Sequence, residues 1–479
     1  MTSIDVSTEP DLRTTAGWPL YLGSFFSTSL MALSNTVAPA AQGALGASDS
    51  ELALATGALG AAFAAGLVLA GRLGDRVGRR LLFRTGMASV AVACVLVALA
   101  PTVSVLVAAR FLVGAAAAVM LPQVLATIQH TLDGAARTRA VAWYGASSGL
   151  GTIGGLAAGG VLVDVLGPDV GWRAAFLTFA LFAALGWIGA RRIPETRSSA
   201  PGTLDHVGTG ILAVGLFALV AGLSLGPGAQ WSAGVLAVLA LAVVAFAALG
   251  VHQWRLERRG GHPVLPPSVL RLPPMWLGLT MVVVFFVGFG AFMFDFALIT
   301  QRGHGLSVLE SGAALLPTCV AFVVGMRLAP RAVARFGGPR LLAGGAVVQV
   351  ALLVIIAAIS FAGPEGRWQW ELWFQLPGIA YGAALGLQFA PLIGVVMEAV
   401  PTEIAGLTGG LFSTMQQASV AIGIATLGGL LTTVAADSGF DTAFGVVLLV
   451  NVLGALAFGA AALVLGRVQR RQAAQADVR

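Results

Sequence analysis

The segment GRLGDRVGRR, residues 71–80, places one aspartate and four arginines directly between two long apolar runs. A helix that crosses a bilayer needs about 20 predominantly apolar residues, and charged side chains are costly within it. This junction therefore predicts that one membrane-spanning helix ends here and that the next one begins.

Long apolar runs separated by short charged segments occur along the whole chain. Charged residues make up 10% of the 479 positions, against roughly 25% in an ordinary soluble domain, and the mean hydropathy is +0.90. We expect an all-α polytopic membrane protein with fourteen spans. Their approximate ranges are 17–41, 52–73, 81–101, 103–127, 140–163, 172–190, 207–226, 231–252, 275–300, 311–330, 341–362, 371–397, 406–434 and 443–466.

The basic residues test this count, because loops on the cytoplasmic side carry an excess of positive charge. With both termini inside, 23 of the 27 basic residues, all arginines, fall in cytoplasmic segments. Arg173, Arg302 and Arg367 fall outside, and Arg110 falls within a span. An error of one span would invert every later loop, so the asymmetry supports an even count. The same asymmetry explains the basic pI without a nucleic-acid partner.

The compartment is predicted from the same residues. The first sixteen residues carry four charges and lack the basic region and apolar core of a cleavable signal, so we expect the N-terminus to stay in the cytoplasm. The use of arginine without lysine is typical of a GC-rich bacterial genome. These features predict a multi-pass protein of the bacterial inner membrane.

Two charged residues lie where a bilayer would disfavour them. Asp295 is the only acid well inside a predicted span, and it is flanked by phenylalanines. Low-dielectric surroundings disfavour an unpaired charge, so this acid is a candidate for proton coupling or for pairing with a cationic substrate. The alternative is a solvated acid in a wet vestibule. Arg110, inside the fourth span, requires a polar partner or a water-filled cavity, and structural bonding to carbonyls of the first span is the alternative to a role in transport.

Neutral polar residues near the middle of several spans are candidates for lining a central cavity. Each one alone is as well explained by a hydrogen bond between helices. These candidates are Ser34, Asn35, Gln349, Tyr381, Gln388 and Gln416.

The chain also contains an internal sequence repeat. RVGRRLLFRTG at 76–86 aligns with RFGGPRLLAGG at 335–345, each before a later span, and Ala334 stands where the first copy has Asp75. Internal duplication with a binding site between the repeats is common in secondary transporters.

These motifs together resemble those of the major facilitator superfamily, in its 14-helix drug:proton antiporter branch. The resemblance rests on residues 71–80, on RFLVGAAAAVMLPQ at 110–123, on GTIGGLAAGG at 151–160 and on PTEIAGLTGGLFSTMQQ at 401–417. Two positions depart from the branch. Leu156 stands where the antiporter motif has proline, and Ser34 stands where the first span usually has an aspartate.

The resemblance implies a fold of two six-helix bundles with two inserted helices. We expect an N-terminal bundle at 1–190, a linker with spans seven and eight at 191–274, and a C-terminal bundle at 275–479. It also implies a cytoplasmic latch and an antiporter motif on the fifth span. The latch residues are Gly71, Asp75, Arg76, Gly78 and Arg79, and the motif residues are Gly151, Gly155, Gly159 and Gly160.

The implied function is proton-driven export of small lipophilic or cationic compounds by alternating access, with Asp295 and Arg110 as the coupling residues. The alternatives are a uniporter or a transporter of another small molecule without proton coupling, and a membrane sensor that does not transport. An enzyme is not expected, because the chain has no Walker loop and its five histidines lack metal-ligand spacing. We expect a monomer with no cofactor and no metal, whose partners are the substrate, protons and the lipid bilayer.

Overall fold

The computed structural model describes residues 17–132, 134–197, 204–363, 368–398 and 405–476, and it contains helices but no strand within those ranges. Spans are numbered 1 to 14 in chain order below. Spans 1 to 6 are Trp18–Thr36 continued by Ala38–Leu45, Asp49–Val77, Arg79–Ala98, Val103–Thr131, Gly134–Leu166 and Pro168–Gly189. Spans 7 and 8 are His206–Leu225 and Ala233–Arg258.

The later spans follow a short helix at Pro267–Leu270. Spans 9 to 12 are Pro273–Leu298 with the π-helical turn Ile299–Gly303, Val308–Phe336, Gly338–Ala362 and Gln369–Glu398. Span 13 is Ala405–Gly423 with the π-helical turn Ile424–Gly428, and it runs on into the helix Gly429–Ala476. That helix bends at Gly439, where φ is 80°, and the part after the bend is span 14.

The structure is compatible with the predicted count of fourteen spans. Twelve described segments are long and apolar enough to cross a membrane, and one of them, Leu411–Gln469, contains spans 13 and 14 on either side of Gly439. Span 1 is not among these twelve segments. It consists of two consecutive helices that meet at Val37. The sequence placed several boundaries too far inside the helices, because span 5 begins at Gly134 and span 8 continues to Arg258.

The duplication seen in the sequence extends to how two spans begin and end. Span 2 starts with a capping box in which Ser48 and Glu51 bond each other's backbone N–H, and span 10 starts with the same box from Ser307 and Glu310. Each helix is 29 residues long and ends at a glycine with positive φ, Gly78 at 119° and Gly337 at 79°. Spans 2 and 10 are therefore equivalent members of two repeats.

Two large apolar cores correspond to two bundles of six helices. One core is formed by spans 1 to 6, with Trp172 and Phe83 among its buried side chains. The other is formed by spans 9 to 14, with Trp370 and Phe292 among its buried side chains. The borders at residues 190 and 274 remain predictions within this architecture.

Spans 7 and 8 form a hairpin beside the two bundles. Span 7 packs against span 2 and also touches span 13, so it lies along the seam between the bundles. Its first turn is fixed by Asp205, whose carboxylate accepts bonds from the Gly208 N–H at 2.7 Å, from Gln253 at 2.7 Å and from His252 at 2.8 Å. Burial opposes ionisation of Asp205, but these three bonds outweigh it and lower its pKa.

Candidate functional site

Asp295 lies on span 9, fully buried at 0% exposure. Neither of its carboxylate oxygens has a hydrogen-bond partner among the described residues. A Cβ built on Gly428 would lie 3.5 Å from the Asp295 Oδ1 atom, so the carboxylate faces the backbone of span 13. The burial rules out the alternative of a solvated vestibule acid in this conformation.

Two π-helical turns stand beside this carboxylate. One, Ile299–Gly303, begins four residues after Asp295 on span 9, and the other, Ile424–Gly428, is the part of span 13 that faces it. The π-helix is rare, and single π turns inside α-helices are frequent at functional sites. The sequence showed no signal for either turn, because a π turn has no characteristic residue pattern at this length.

Glycines let spans 9 and 13 approach each other closely. A Cβ on Gly290 would lie 2.8 Å from the Val420 Cα atom, and a Cβ on Gly423 would lie 2.1 Å from the Val287 carbonyl oxygen. Real Cβ atoms essentially never come this close to a neighbour. The two backbones therefore pack directly on each other on the approach to Asp295.

Phenylalanines from four spans form an aromatic cluster next to this seam. The cluster consists of Phe286, Phe289, Phe322, Phe389 and Phe412, with ring centroids 5.7 to 6.3 Å apart in successive contacts. Three of them, Phe289, Phe322 and Phe389, are only partly buried. Their exposed faces offer an apolar surface to a ligand.

The structure divides the neutral polar candidates between the two bundles. In the C-terminal bundle, Gln388 donates to Gln349 at 3.4 Å, and Tyr381 is fully buried. In span 1, Ser34 is buried and Asn35 is partly exposed. Gln416 of span 13 is also partly exposed.

A further buried amide was missed by the sequence. Asn451 of span 14 donates to the Gly288 carbonyl at 3.3 Å. A Cβ on Gly288 would lie 2.2 Å from the Asn451 Oδ1 atom. The Asn451 amide therefore fits only because residue 288 has no side chain. Asn451 was overlooked because it stands alone in an apolar run, 163 residues from its partner.

Arg110 lies within the N-terminal bundle and is also fully buried. It donates one hydrogen bond, to the Thr56 hydroxyl of span 2 at 3.2 Å, and its Nε and Nη2 atoms have no partner among the described residues. Its guanidinium lies 5.9 Å from the ring centroid of Phe176. The partner is thus span 2, not the carbonyls of span 1, and no ion pair joins Arg110 to Asp295.

The span 5 glycines face span 1. A Cβ would lie 2.3 Å from the Phe25 carbonyl oxygen if built on Gly151, and 2.4 Å from that of Ser29 if built on Gly155. Gly159 continues this face against Val37. Gly160 points elsewhere, since a Cβ there would lie 2.7 Å from the Leu309 Cα atom of span 10 in the other bundle.

The predicted latch lies at one end of the spans, which we call the arginine-rich end. Asp75 accepts from Arg79 at 2.6 Å, and Arg79 also donates to the Ala126 carbonyl of span 4 at 3.3 Å. Gly78 leaves room for the Glu195 carboxylate, which accepts from the Arg80 N–H at 3.1 Å. These bonds join the start of span 3 to span 4 and to the beginning of the linker after span 6.

A neighbouring arginine ties the same end to the linker after span 8. Arg72 donates to the carbonyls of His262 at 2.5 Å and Pro263 at 2.8 Å. The remaining latch residues, Gly71 and Arg76, lie in the last turns of span 2.

At the opposite end the two bundles are held together. Residues 299–308, which we call the closing segment, run from the π turn that ends span 9 to the first residue of span 10, and they bond three parts of the N-terminal bundle. Gln301 donates to the Thr36 carbonyl at 3.0 Å, Arg302 pairs with Asp49 at 2.5 Å, and Ser307 donates to Asp164 at 2.7 Å. A cleft of about 540 Å³ runs beside these contacts. The molecule is therefore closed at the end away from residues 71–80.

Comparison with solved structures agrees with this architecture. The POT family transporter PepTSo matches with a TM-score of 0.68 at 15% identity, over 97% of this chain and 99% of that one. A D-xylose-proton symporter matches with a TM-score of 0.66 at 15% identity, over 92% of this chain and 96% of that one. At these identities the likeness establishes the fold alone.

Sequence comparison gives nearer relatives. The chain is 32% identical to a probable actinorhodin transporter of Streptomyces coelicolor, over 87% of this chain and 74% of the relative. It is 30% identical to a tetracenomycin C resistance and export protein of Streptomyces glaucescens, over 88% and 77%. It is 28% identical to the multidrug efflux pump LfrA of Mycolicibacterium smegmatis, over 77% and 71%. The sequence profile of the Major Facilitator Superfamily matches residues 20–424. The chain therefore belongs to the Major Facilitator Superfamily.

Proposed function

We propose that this protein exports small lipophilic or cationic compounds of the drug or antibiotic type, by proton antiport with alternating access. The observation that carries the proposal is the buried carboxylate of Asp295, which has no partner among the described residues. An unpaired charge in such a place costs several kcal/mol. This cost is removed when the carboxylate binds either a proton or a cation.

This exchange is the elementary step of antiport. A proton that arrives at Asp295 neutralises the carboxylate and releases a bound cation, and loss of the proton restores the charge that binds the next cation. The partly exposed rings of Phe289, Phe322 and Phe389 supply the apolar surface for the rest of such a substrate. The names of the relatives, which include antibiotic export and multidrug efflux, support this class of substrate.

The arginine distribution supports an orientation with the arginine-rich end in the cytoplasm and both termini on that side, in the bacterial inner membrane. Parts of both termini, residues 1–16 and 477–479, lie outside the described residues. In this orientation the closing segment seals the outer end. No cofactor is needed, since the proton gradient supplies the energy, and a monomer contains both bundles.

The other predicted residues take supporting roles in this proposal. Arg110 holds spans 2 and 4 together and presents the two unpartnered guanidinium nitrogens to the bundle interior. Asp75 and Arg79 form the latch, and Arg79 ties it to the Ala126 carbonyl of span 4. Gly151, Gly155 and Gly159 of span 5 provide a face without side chains on which span 1 moves.

The test is transport in proteoliposomes that carry an imposed pH gradient. Ethidium, a planar lipophilic cation, serves as the substrate, and a pH-sensitive dye reports proton release. We expect ethidium to drive proton movement in the wild type and Asp295→Asn to abolish it, because the amide can hold neither a proton nor a charge-paired cation. Asp169→Asn, at an exposed acid in the first turn of span 6, is the matched control and should leave transport unchanged.

Each other outcome points to an alternative. Ethidium transport that ignores both the pH gradient and Asp295→Asn indicates a uniporter. Ethidium binding without transport, at any gradient, indicates a membrane sensor that retains the transporter fold. Proton-coupled transport that persists in Asp295→Asn refutes the role of this carboxylate.

A further inference from the structure

One cluster of titratable groups lies outside the site described above. The His304 ring stands between two acids from different spans, with Nδ1 2.7 Å from the Glu371 Oε1 atom and Nε2 2.8 Å from the Asp441 Oδ1 atom. The His304 ring also packs on Trp370 at a centroid distance of 5.1 Å. No group of three or more His, Cys, Asp or Glu side chains among the described residues is arranged to hold a metal ion.

The geometry fixes the protonation state of the ring. A neutral imidazole has one N–H and can donate to only one of the two acids, whereas an imidazolium donates to both. Burial alone would lower the pKa of His304, but the hydrogen bonds and charges of Asp441 and Glu371 outweigh it and raise the pKa to about 9. The Glu371 side chain is 3% exposed and that of Asp441 is 38% exposed, so water reaches the cluster from the Asp441 side.

His304, the central residue of this cluster, lies in the middle of the closing segment. On one side of His304, Arg302 pairs with Asp49 and lies 5.3 Å from the Phe440 ring; on the other side, Ser307 bonds Asp164. Another acid of this region, Glu310, caps the start of span 10 by accepting from the Ser307 N–H. His304 is therefore the point at which the segment that bonds the N-terminal bundle is itself fastened to spans 12 and 14.

We propose that His304, Glu371 and Asp441 form a second proton-binding site, which controls closure of the molecule at the end away from residues 71–80. The protonated ring holds the closing segment in the position from which it reaches Thr36, Asp49 and Asp164. Loss of the proton leaves a ring nitrogen lone pair facing a carboxylate, which releases the segment. The inference rests on the alternating access of the proposed function.

The direction of the linkage follows from the raised pKa of His304. The closed form holds the proton more tightly than an open form in which the ring has left the two acids. Closing takes up a proton from the water at that end, and opening returns it to the same side. The site therefore gates the transporter and does not carry protons across the membrane.

The test is a distance measurement between spin labels in the full chain in lipid nanodiscs. Val165 and Leu376, which are 74% and 78% exposed near the closed end of each bundle, are replaced by labelled cysteines after Cys94→Ala and Cys319→Ala. We expect a single short distance at pH 6 and a growing long-distance population as the pH rises through about 9, the pKa of His304. Each unit by which the pKa differs between closed and open forms changes their ratio tenfold.

Variants separate the cluster from general effects of pH. His304→Gln should show the long distance at every pH, and Glu371→Gln or Asp441→Asn should move the transition of the wild type to lower pH. His262→Gln changes an exposed histidine of the linker and should behave as the wild type. A wild-type distance that is constant from pH 6 to 10, or a His304→Gln protein that stays closed, overturns the proposal.

The measurement needs no substrate, so it is independent of the antiport test. If His304→Gln opens the molecule but the protein transports no compound, the proposed gate is supported and the proposed export function is refuted. A pH-independent closed end in a protein that exports ethidium would give the reverse result.

Discussion

The contact between spans 1 and 5 gives the sharpest prediction about packing. A Cβ on Gly155 would lie 2.4 Å from the Ser29 carbonyl oxygen, 3.0 Å from the Ala32 Cβ atom and 3.0 Å from the Leu33 nitrogen. Ordinary contact begins at 3.4 Å, so Gly155→Ala requires the two helices to separate by about 1 Å. The backbone oxygen cannot turn aside as the end of a side chain could.

The magnitude follows from two opposing effects. Inserting one methyl group into a tightly packed interface costs about 1–3 kcal/mol. Replacing glycine by alanine inside a helix returns about 0.5–1 kcal/mol by restricting the unfolded chain. The net expectation is a loss of about 0–2.5 kcal/mol, centred near about 1 kcal/mol, in the free energy of unfolding, measured by SDS titration of the purified protein in mixed micelles.

The chain offers a matched control on the same helix. Gly145 also lies in span 5, but a Cβ built there meets nothing within 4 Å. Gly145→Ala should therefore be neutral or stabilising by about 0.5–1 kcal/mol. Equal free energies of unfolding for Gly155→Ala and Gly145→Ala would refute the claim that glycine is required for the approach of span 5 to span 1.

Two further predictions concern the seam and the linker. Gly160→Ala places a methyl group against the Leu309 backbone of the other bundle, so the spin-label pair at Val165 and Leu376 should shift toward the long distance, while the free energy of unfolding changes less than in Gly155→Ala. Asp205→Ala removes the acceptor of the Gly208, His252 and Gln253 bonds and should lower the free energy of unfolding by about 1–3 kcal/mol. Because the folded-state pKa of Asp205 is lowered, its stabilisation of the wild type should be present above pH 4 and be lost as the pH falls through that lowered value, a loss that Asp205→Ala should not show.

Much of the fold could be predicted because the membrane imposes simple rules. The length of the apolar runs and the side on which arginines occur determine the number of spans and their alternation. The sequence repeat between residues 76–86 and 335–345 identified the duplication, and the paired capping boxes at Ser48 and Ser307 confirm it. These signals are local in the sequence, so no knowledge of tertiary contacts was needed to read them.

The contacts that close the molecule could not be predicted in the same way. His304 meets Glu371 and Asp441 across 67 and 137 residues, and each of the three stands at a helix end where a charged residue is ordinary. Arg302 was read as a topological marker, although its partner is Asp49, 253 residues away. A single sequence carries the residue types but not the pairing, because the pairing depends on how the two bundles meet.

The closing segment begins on span 9 itself, close to the buried carboxylate of Asp295. Asp295 stands on the α-helical part of span 9, and the π turn Ile299–Gly303 begins one helical turn later. Gln301 and Arg302, which bond the N-terminal bundle, belong to that π turn, and His304 follows it directly. A π turn carries one residue more than an α-helical turn, so conversion between the two rotates the following residues by about 100° about the helix axis. Because Gln301 and Arg302 belong to the π turn, such a conversion would displace their contacts with Thr36 and Asp49. Asp295 and the closing segment are therefore joined through a single element, because the π turn that ends span 9 lies between the buried carboxylate and His304.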